Sequence, residues 1–209
     1  RRGLYLPKSV VQRVLNAAGI HPKSNVKRVT PKPHPDRDAQ FRHLVEVRRA
    51  FAERGDPVLS IDTKKKELIG LFAHRGTTWR RRAHEVYSHD FPTHALARLV
   101  PYGLYDVARN EGFVFIGLSF DTADFAVDAL VWWWRKFGRL HYPDRAQVLL
   151  LADGGGSNGY RSNRWKFRLQ RDLCEGLGLT VTVGHYPPGA SKWNPVEHRL
   201  FSQISATWR

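Results

Sequence analysis

Val148-Leu149-Leu150-Leu151-Ala152-Asp153-Gly154-Gly155-Gly156-Ser157-Asn158-Gly159 decides how the rest of the chain is read. The apolar run Val148 to Ala152 reads as a buried strand. The run stops at a carboxylate. Three glycines then free the backbone, and a basic, helix-like segment begins at about Arg161. An Asp at the end of a buried strand is costly to desolvate unless something cationic meets it. The partner of Asp153 has to come from elsewhere in the chain.

On the C-terminal side, Arg161 to Gly176 reads as a helix carrying Arg161, Arg164, Lys166, Arg168 and Arg171. Leu179 to Val183 is a further strand, and His185-Tyr186-Pro187-Pro188-Gly189 is a turn-rich loop. Asn194-Pro195-Val196-Glu197 then opens a helix, with Asn at the cap and Pro in the first turn. Glu197 stands where the acid of a capping box reaches back to the cap amide. It also lies three, four and seven residues before Leu200, Phe201 and Ile204, beside the core-facing stripe. A carboxylate facing inward needs a partner of its own.

On the N-terminal side, Val58-Leu59-Ser60-Ile61-Asp62 is another apolar strand that ends in Asp. Thr63-Lys64-Lys65-Lys66 and a strand-like Glu67 to Phe72 follow. Residues 74–101 read as irregular; their His74, His84, His89 and His94 lack the spacing of a zinc site, and a basic surface loop is the better reading. Leu104 to Arg109 and Phe113 to Leu118 flank Asn110-Glu111-Gly112 as a β-hairpin. Asp121-Thr122-Ala123-Asp124 is a cap-like start to a helix reaching about Phe137. Its Trp132, Trp133 and Trp134 read as core and rim packing rather than a base-stacking platform. Nearer the start, Ala39 to Arg54 is a helix ended by Gly55, and residues 21–38 are a basic, proline-rich linker. Ser9 to Gly19 is a helix capped by Ser9. Two readings of it stand: the last helix of an incomplete helix-turn-helix, or an ordinary amphipathic helix.

The resulting order is helix, strand, hairpin, helix, strand, helix, strand, helix. It predicts an α/β fold, a mixed sheet with helices on both faces. With 34 Lys and Arg against 19 Asp and Glu, the net charge is +15. That favours a polyanionic partner, most simply nucleic acid, with an anionic membrane surface as the other candidate. No apolar run reaches the 18 or so residues of a membrane span, and no signal peptide is visible. The single Cys174 excludes an internal disulfide framework and fits a reducing cytosol. The absence of Met, even at position 1, suggests a piece of a longer reading frame.

Asp62 and Asp153 end strands, and Glu197 sits near an apolar helix face. If the three converge, they make a hard, oxygen-rich site suited to magnesium or manganese. Two such ions about 4 Å apart serve phosphodiester chemistry. The bland alternative is that an Asp after a strand is a common turn residue.

Longer strings sharpen the choice. Ser60-Ile61-Asp62-Thr63-Lys64-Lys65-Lys66-Glu67, Tyr102-Gly103-Leu104-Tyr105-Asp106, Ala152-Asp153-Gly154-Gly155-Gly156-Ser157-Asn158-Gly159 and Lys192-Trp193-Asn194-Pro195-Val196-Glu197-His198-Arg199-Leu200-Phe201 resemble the ISAzo-type insertion-sequence transposases. His34-Pro35-Asp36-Arg37-Asp38-Ala39-Gln40-Phe41 resembles the stretch leading into that family's catalytic domain. The element order is similar to the ribonuclease H-like core of DDE transposases and retroviral-type integrases. The resemblance covers about residue 5 to the end. It implies that Asp62, Asp153 and Glu197 are a catalytic, metal-binding triad holding two Mg2+ or Mn2+ ions. It implies hydrolytic nicking at the ends of an element, followed by attack of the freed 3′-hydroxyl on target DNA. Double-stranded DNA is then the partner, the bacterial cytosol the location, and a homo-oligomer on DNA the assembly. Asn158 and His198 stand beside the ligands as helpers. Lys64, Lys65, Lys66, Arg161, Arg164 and Arg168 are either DNA-backbone contacts or a solvated basic face. The implied domains are a partial helical DNA-binding remnant (1–30), a basic linker and helix (31–56) and the catalytic domain (57–209), truncated at its C-terminus.

Two rivals remain. Gly154-x-Gly156-x-x-Gly159 formally fits a dinucleotide fingerprint after a strand. The next strand, however, ends Val183-Gly184-His185 without the acidic residue that would bind a ribose. The other rival is a transposase-derived DNA-binding protein that no longer cuts.

Overall fold

A computed structural model of the chain describes residues 6–23, 35–73, 79 and 81–207. The chain divides into two compact units, Arg1–Pro33 and His34–Arg209. The first contains α1 (Lys8–Ala17), which has Pro7 rather than Ser9 at its N-cap and no side-chain cap. Its far end closes on Gly19 at φ 73°, where Gly19 N donates to Asn16 O and Ile20 N to Leu15 O. Only glycine takes that left-handed turn without steric cost. Most of the expected linker, 24–34, and His74 lie outside the described residues.

The second unit is built on a sheet of β1 (Val58–Thr63), β2 (Glu67–Ile69), β3 (Ala97–Asp106), β4 (Glu111–Gly117), β5 (Gln147–Ala152) and β6 (Thr180–His185). The strand order is β4-β3-β1-β5-β6, with β2 pairing the start of β3. β1, β5 and β6 run parallel, while β3 is antiparallel to β1, β2 and β4. The mixed sheet expected from the sequence is therefore present. β3 begins earlier than the hairpin pattern suggested, because Pro101 lies inside it. The Pro101 carbonyl still accepts from Lys64 N at 2.9 Å.

Side chains alternate across a strand, so the apolar run has to be covered twice. Leu59, Ile61, Val148, Leu150 and Ala152 meet α3 (Ala123–Trp133) and α4 (Asn163–Arg168) in one core. Both helices continue as π-helical turns, Trp134–Gly138 and Leu169–Glu175. Trp133 and Trp134 are buried there, and Trp132 packs against Phe115 and Phe137, which agrees with the packing reading. On the opposite face Val58, Leu149 and Leu151 meet Leu44 and Phe51 of α2 (Arg37–Arg54). Helix α2 therefore forms a layer of the compact unit that runs from His34 to Arg209. The prolines before it obscured that role, since its inward stripe is only partly apolar. α5 spans 195–207, with a π-helical stretch at Glu197–Phe201. It lays Val196, Phe201 and Ile204 against Tyr105 of β3.

Candidate active site at the carboxyl edge of the sheet

The register that pairs Val58 with Leu149 and Ser60 with Leu151, continued by two residues, carries Asp62 to Asp153. The two carboxylates end neighbouring parallel strands at matched positions. By alternation both belong to the α2 and α5 face, as do Val58, Leu149 and Leu151. Ser60, between Val58 and Asp62 on that face of β1, is fully buried.

Ser60 explains how Glu197 arrives. Its hydroxyl donates to Asn194 Oδ1 at 2.5 Å and accepts from Val196 N at 2.8 Å. Asn194 Nδ2 in turn donates to Ile61 O at 3.2 Å. Ser60 and Asn194 are both shut off from solvent, so each polar group must find its partner inside. Asn194 therefore does not cap its own helix with its side chain, as its position suggested. It staples the start of α5 to the strand bearing Asp62. Gly103, which pairs with Asp62 across β3, makes room for this. A Cβ there would stand 2.4 Å from Phe201 Cε1 and 2.9 Å from Val196 Cγ2.

The charge of Glu197 is consequently felt at the Asp62 carboxyl. Burial first, then the negative charges of Asp153 and Glu197, push Asp62 up to about 8, against the pull of the Thr63 amide. That amide donates to Asp62 Oδ1 at 2.7 Å. Like charges held together in a half-dry place favour retention of a proton or capture of a cation. Tyr102 lies beneath them. Burial and the adjacent Asp62 hold its hydroxyl well above its ordinary range, so it stays protonated and donates to Asn158 Oδ1 at 2.7 Å.

Sequence reading missed a fourth carboxylate, Asp121. Thr122, not Asp121, caps α3, its hydroxyl accepting from Phe125 N at 3.2 Å. Asp121 instead accepts from Thr63 Oγ1 at 2.9 Å, and Thr63 Oγ1 lies 3.3 Å from Ser157 Oγ. These bonds tie the end of β1 to the segments after β4 and β5. The available signal was topological. β4 runs parallel to β1, so whatever follows it emerges at the same edge.

The other anticipated residues fare differently. Asn158 is buried; besides meeting Tyr102, its carbonyl accepts from His185 Nε2 at 2.8 Å. His198 is exposed and bonded to the Lys192 carbonyl. Lys64 is drawn down onto Glu67, whereas Lys65 and Lys66 are exposed. Arg161 is exposed, with its guanidinium 5.3 Å from the centre of the Tyr160 ring. Arg164 binds Asp124 at 2.9 Å. Arg168 is buried among Asp124, Asp128 and Asp172, and its guanidinium is spent inside the protein. His89 and His94 pack with Tyr87 and Phe91 in an aromatic group.

Asp62, Asp153 and Glu197 offer an all-oxygen donor set, and among the described residues no Lys or Arg pairs with any of them. That chemistry fits a hard divalent cation. Among the described residues, no group of three or more His, Cys, Asp or Glu side chains stands in metal-holding geometry. The carboxylates interact with Asp62 but have not drawn into a coordination shell. No helix among the described residues is long and apolar enough to cross a membrane.

This sheet, edge and helix arrangement is a ribonuclease H-like fold shared with the Mos1 transposase. The paired-end complex of that protein with its left transposon end superposes at TM-score 0.58 with 13% identity. Its pre-cleavage transpososome gives 0.54 at 15%, and its paired-end complex with Mn gives 0.52 at 16%. Each match covers 95% of this chain and 56% of the other. The chain thus spans little more than half the length of those transposases, and at such identities the likeness is one of fold. Comparison with curated protein sequences yields no match. The family is fixed by sequence: residues 1–209 match the family described as Rhodopirellula transposase DDE domain, and the chain belongs to it.

Proposed function

We propose that this chain carries the catalytic centre of a DDE transposase that cuts and joins DNA, with Asp62, Asp153 and Glu197 as its metal-holding triad. The observation that carries the reading is the matched placement of Asp62 and Asp153 at the ends of paired parallel strands, with the start of the Glu197 helix tied to the Asp62 strand by Ser60 and Asn194. Two Mg2+ or Mn2+ ions held there would activate the attacking oxygen and stabilise the leaving one.

The chain's own residues hold the geometry. Asp62 and Asp153 are fixed by paired strands, and Glu197 closes over them from α5. Asp121 and Thr63 brace the segments between. In the first step water attacks phosphorus and the bond to the 3′ oxygen breaks, leaving a 3′-hydroxyl. In the second, that hydroxyl attacks a target phosphodiester and a second 3′ oxygen departs. Neither step forms a covalent bond to protein. Exposed Lys65, Lys66 and Arg161 supply cations for the DNA backbone, supported by the net charge of +15. Joining two element ends calls for at least two subunits on DNA. The work belongs in the cytosol, where bacterial DNA lies.

The test is nicking of a plasmid carrying the element's ends, with Mn2+ or Mg2+. Asp62→Asn, Asp153→Asn and Glu197→Gln are each expected to slow nicking by roughly 100-fold or more, as loss of a transition-state contact does. Wild-type cutting by Asp153→Asn would overturn the assignment. Metal-dependent DNA binding without any cutting by the wild type would favour the non-catalytic rival.

A further inference from the structure

The glycine run after Asp153 forms the floor of a cavity of about 660 Å3. Asp153 itself lines it, and the rest of the wall is Gly154, Gly155, Tyr160, Arg161, His185 and the loop Tyr186 to Ala190, on the β6 side. Gln40 of α2 completes it, and Arg37 of the same helix donates to Pro188 O at 3.2 Å, pinning the loop. The volume falls in the range of small-ligand sites. A second cleft, of about 550 Å3, lies by Trp134 and Arg139, at the far end of the α3 segment.

Three features of the larger cavity point to one kind of occupant. Tyr160 remains 49% exposed although Arg161 lies over its ring and His185 meets it edge-on at 5.9 Å. A flat aromatic surface backed by a guanidinium suits a nucleobase and its phosphate, and does so without regard to base identity. The backbone at Gly155 faces open space, since a Cβ there would meet nothing within 4 Å. Packing does not demand that glycine, so a side chain would only occupy room. Finally, neighbouring strands of a sheet stand about 4.8 Å apart. The ends of β5 and β6 are thus one step apart, and the cavity opens directly beside the Asp153 carboxylate.

We propose that this cavity receives a single unpaired nucleotide of the DNA strand next to the bond being cut, with its base on Tyr160 and its phosphate toward Arg161. The inference rests on the transposase reading and adds a site to it. Duplex geometry keeps bases stacked inside, so the pocket selects DNA whose terminal pair has opened.

The experiment measures binding of the whole chain by fluorescence anisotropy, without metal, to two probes. One is a blunt 30-base-pair duplex; the other is that duplex with one unpaired nucleotide at an end. The wild type is expected to prefer the second by roughly tenfold, the scale of one base–aromatic stack. Tyr160→Ala and Gly155→Leu should bring the ratio of the two affinities to about one, while Tyr160→Trp should keep it. Melting temperatures identify any variant that fails to fold, and the fold-preserving Tyr160→Trp together with Gly155→Leu keeps the test decisive. A ratio unchanged in both Tyr160→Ala and Gly155→Leu overturns the pocket while leaving DNA binding intact. Failure of the wild type to bind either probe at low salt overturns the pocket and the DNA reading beneath it.

Discussion

The Ser60 hydroxyl accepts the Val196 amide at 2.8 Å, across 136 residues of sequence, and so fixes where Glu197 stands relative to Asp62. Ser60→Ala strands the buried Val196 amide and leaves Asn194 Oδ1 without its donor. Leaving one buried group unpaired costs about 1–3 kcal/mol. We expect a lower melting temperature and, in the protein that remains folded, weaker Mn2+ binding by isothermal titration. Retention of wild-type Mn2+ affinity would show that the staple serves stability alone.

Gly103 makes a second prediction about the same helix. Any side chain there overlaps Phe201 and Val196. Gly103→Ala should cost about 1–3 kcal/mol, the usual penalty for overfilling a packed interior. The check is the urea midpoint, with the slope unchanged. Leu200→Ala, on the same helix but only partly buried, should cost less.

Asp62 gives the metal-free protein a characteristic pH dependence. Folded, its carboxyl holds a proton up to about pH 8; the ordinary value is 3.8. The folded state therefore binds more protons than the unfolded state between those limits, and stability falls as pH rises through that window. Asp62→Asn should flatten the slope and raise the melting temperature at pH 8. Added Mn2+ should also stabilise the wild type at pH 8, by favouring the ionised carboxylate. A wild-type melting temperature that rises from pH 5 to pH 8 without metal would contradict the assignment.

Arg161 and Arg168 separate surface charge from internal charge. Arg161→Ala should leave the melting temperature nearly unchanged, weaken DNA binding, and reduce the salt slope by about one. Arg168→Ala removes the cation shared by Asp124, Asp128 and Asp172. Its partners are partly exposed, so we expect a loss of about 1–3 kcal/mol rather than that of a fully buried pair. DNA affinity of the folded fraction should hold.

The sequence made the sheet legible where burial on both faces imposes an apolar run, as at Val148 to Ala152, and where a carboxylate breaks it. Asp62 and Asp153 stood out because charge at such a place is expensive. Glu197 stood out through its position on the helix stripe. What stayed hidden depended on partners far away in the chain. Nothing local distinguishes Ser60 from a chance serine until Asn194 is set over it. Arg164 and Arg168 looked like a DNA-facing row because Asp124 and Asp128 lie some 40 residues earlier, on another helix. Asp121 looked like a cap, since Asp and Thr side by side compete for that role, and only the hydrogen bonds assign it to Thr122.

The staple between β1 and α5 also sets an order in time. Two of the three carboxylates sit on strands made early or midway through synthesis, whereas the third rides on α5, which follows every strand. A nascent chain can therefore complete its sheet and bring Asp62 beside Asp153 before Glu197 is in place. Until Asn194 reaches Ser60, nothing holds Glu197 beside the sheet.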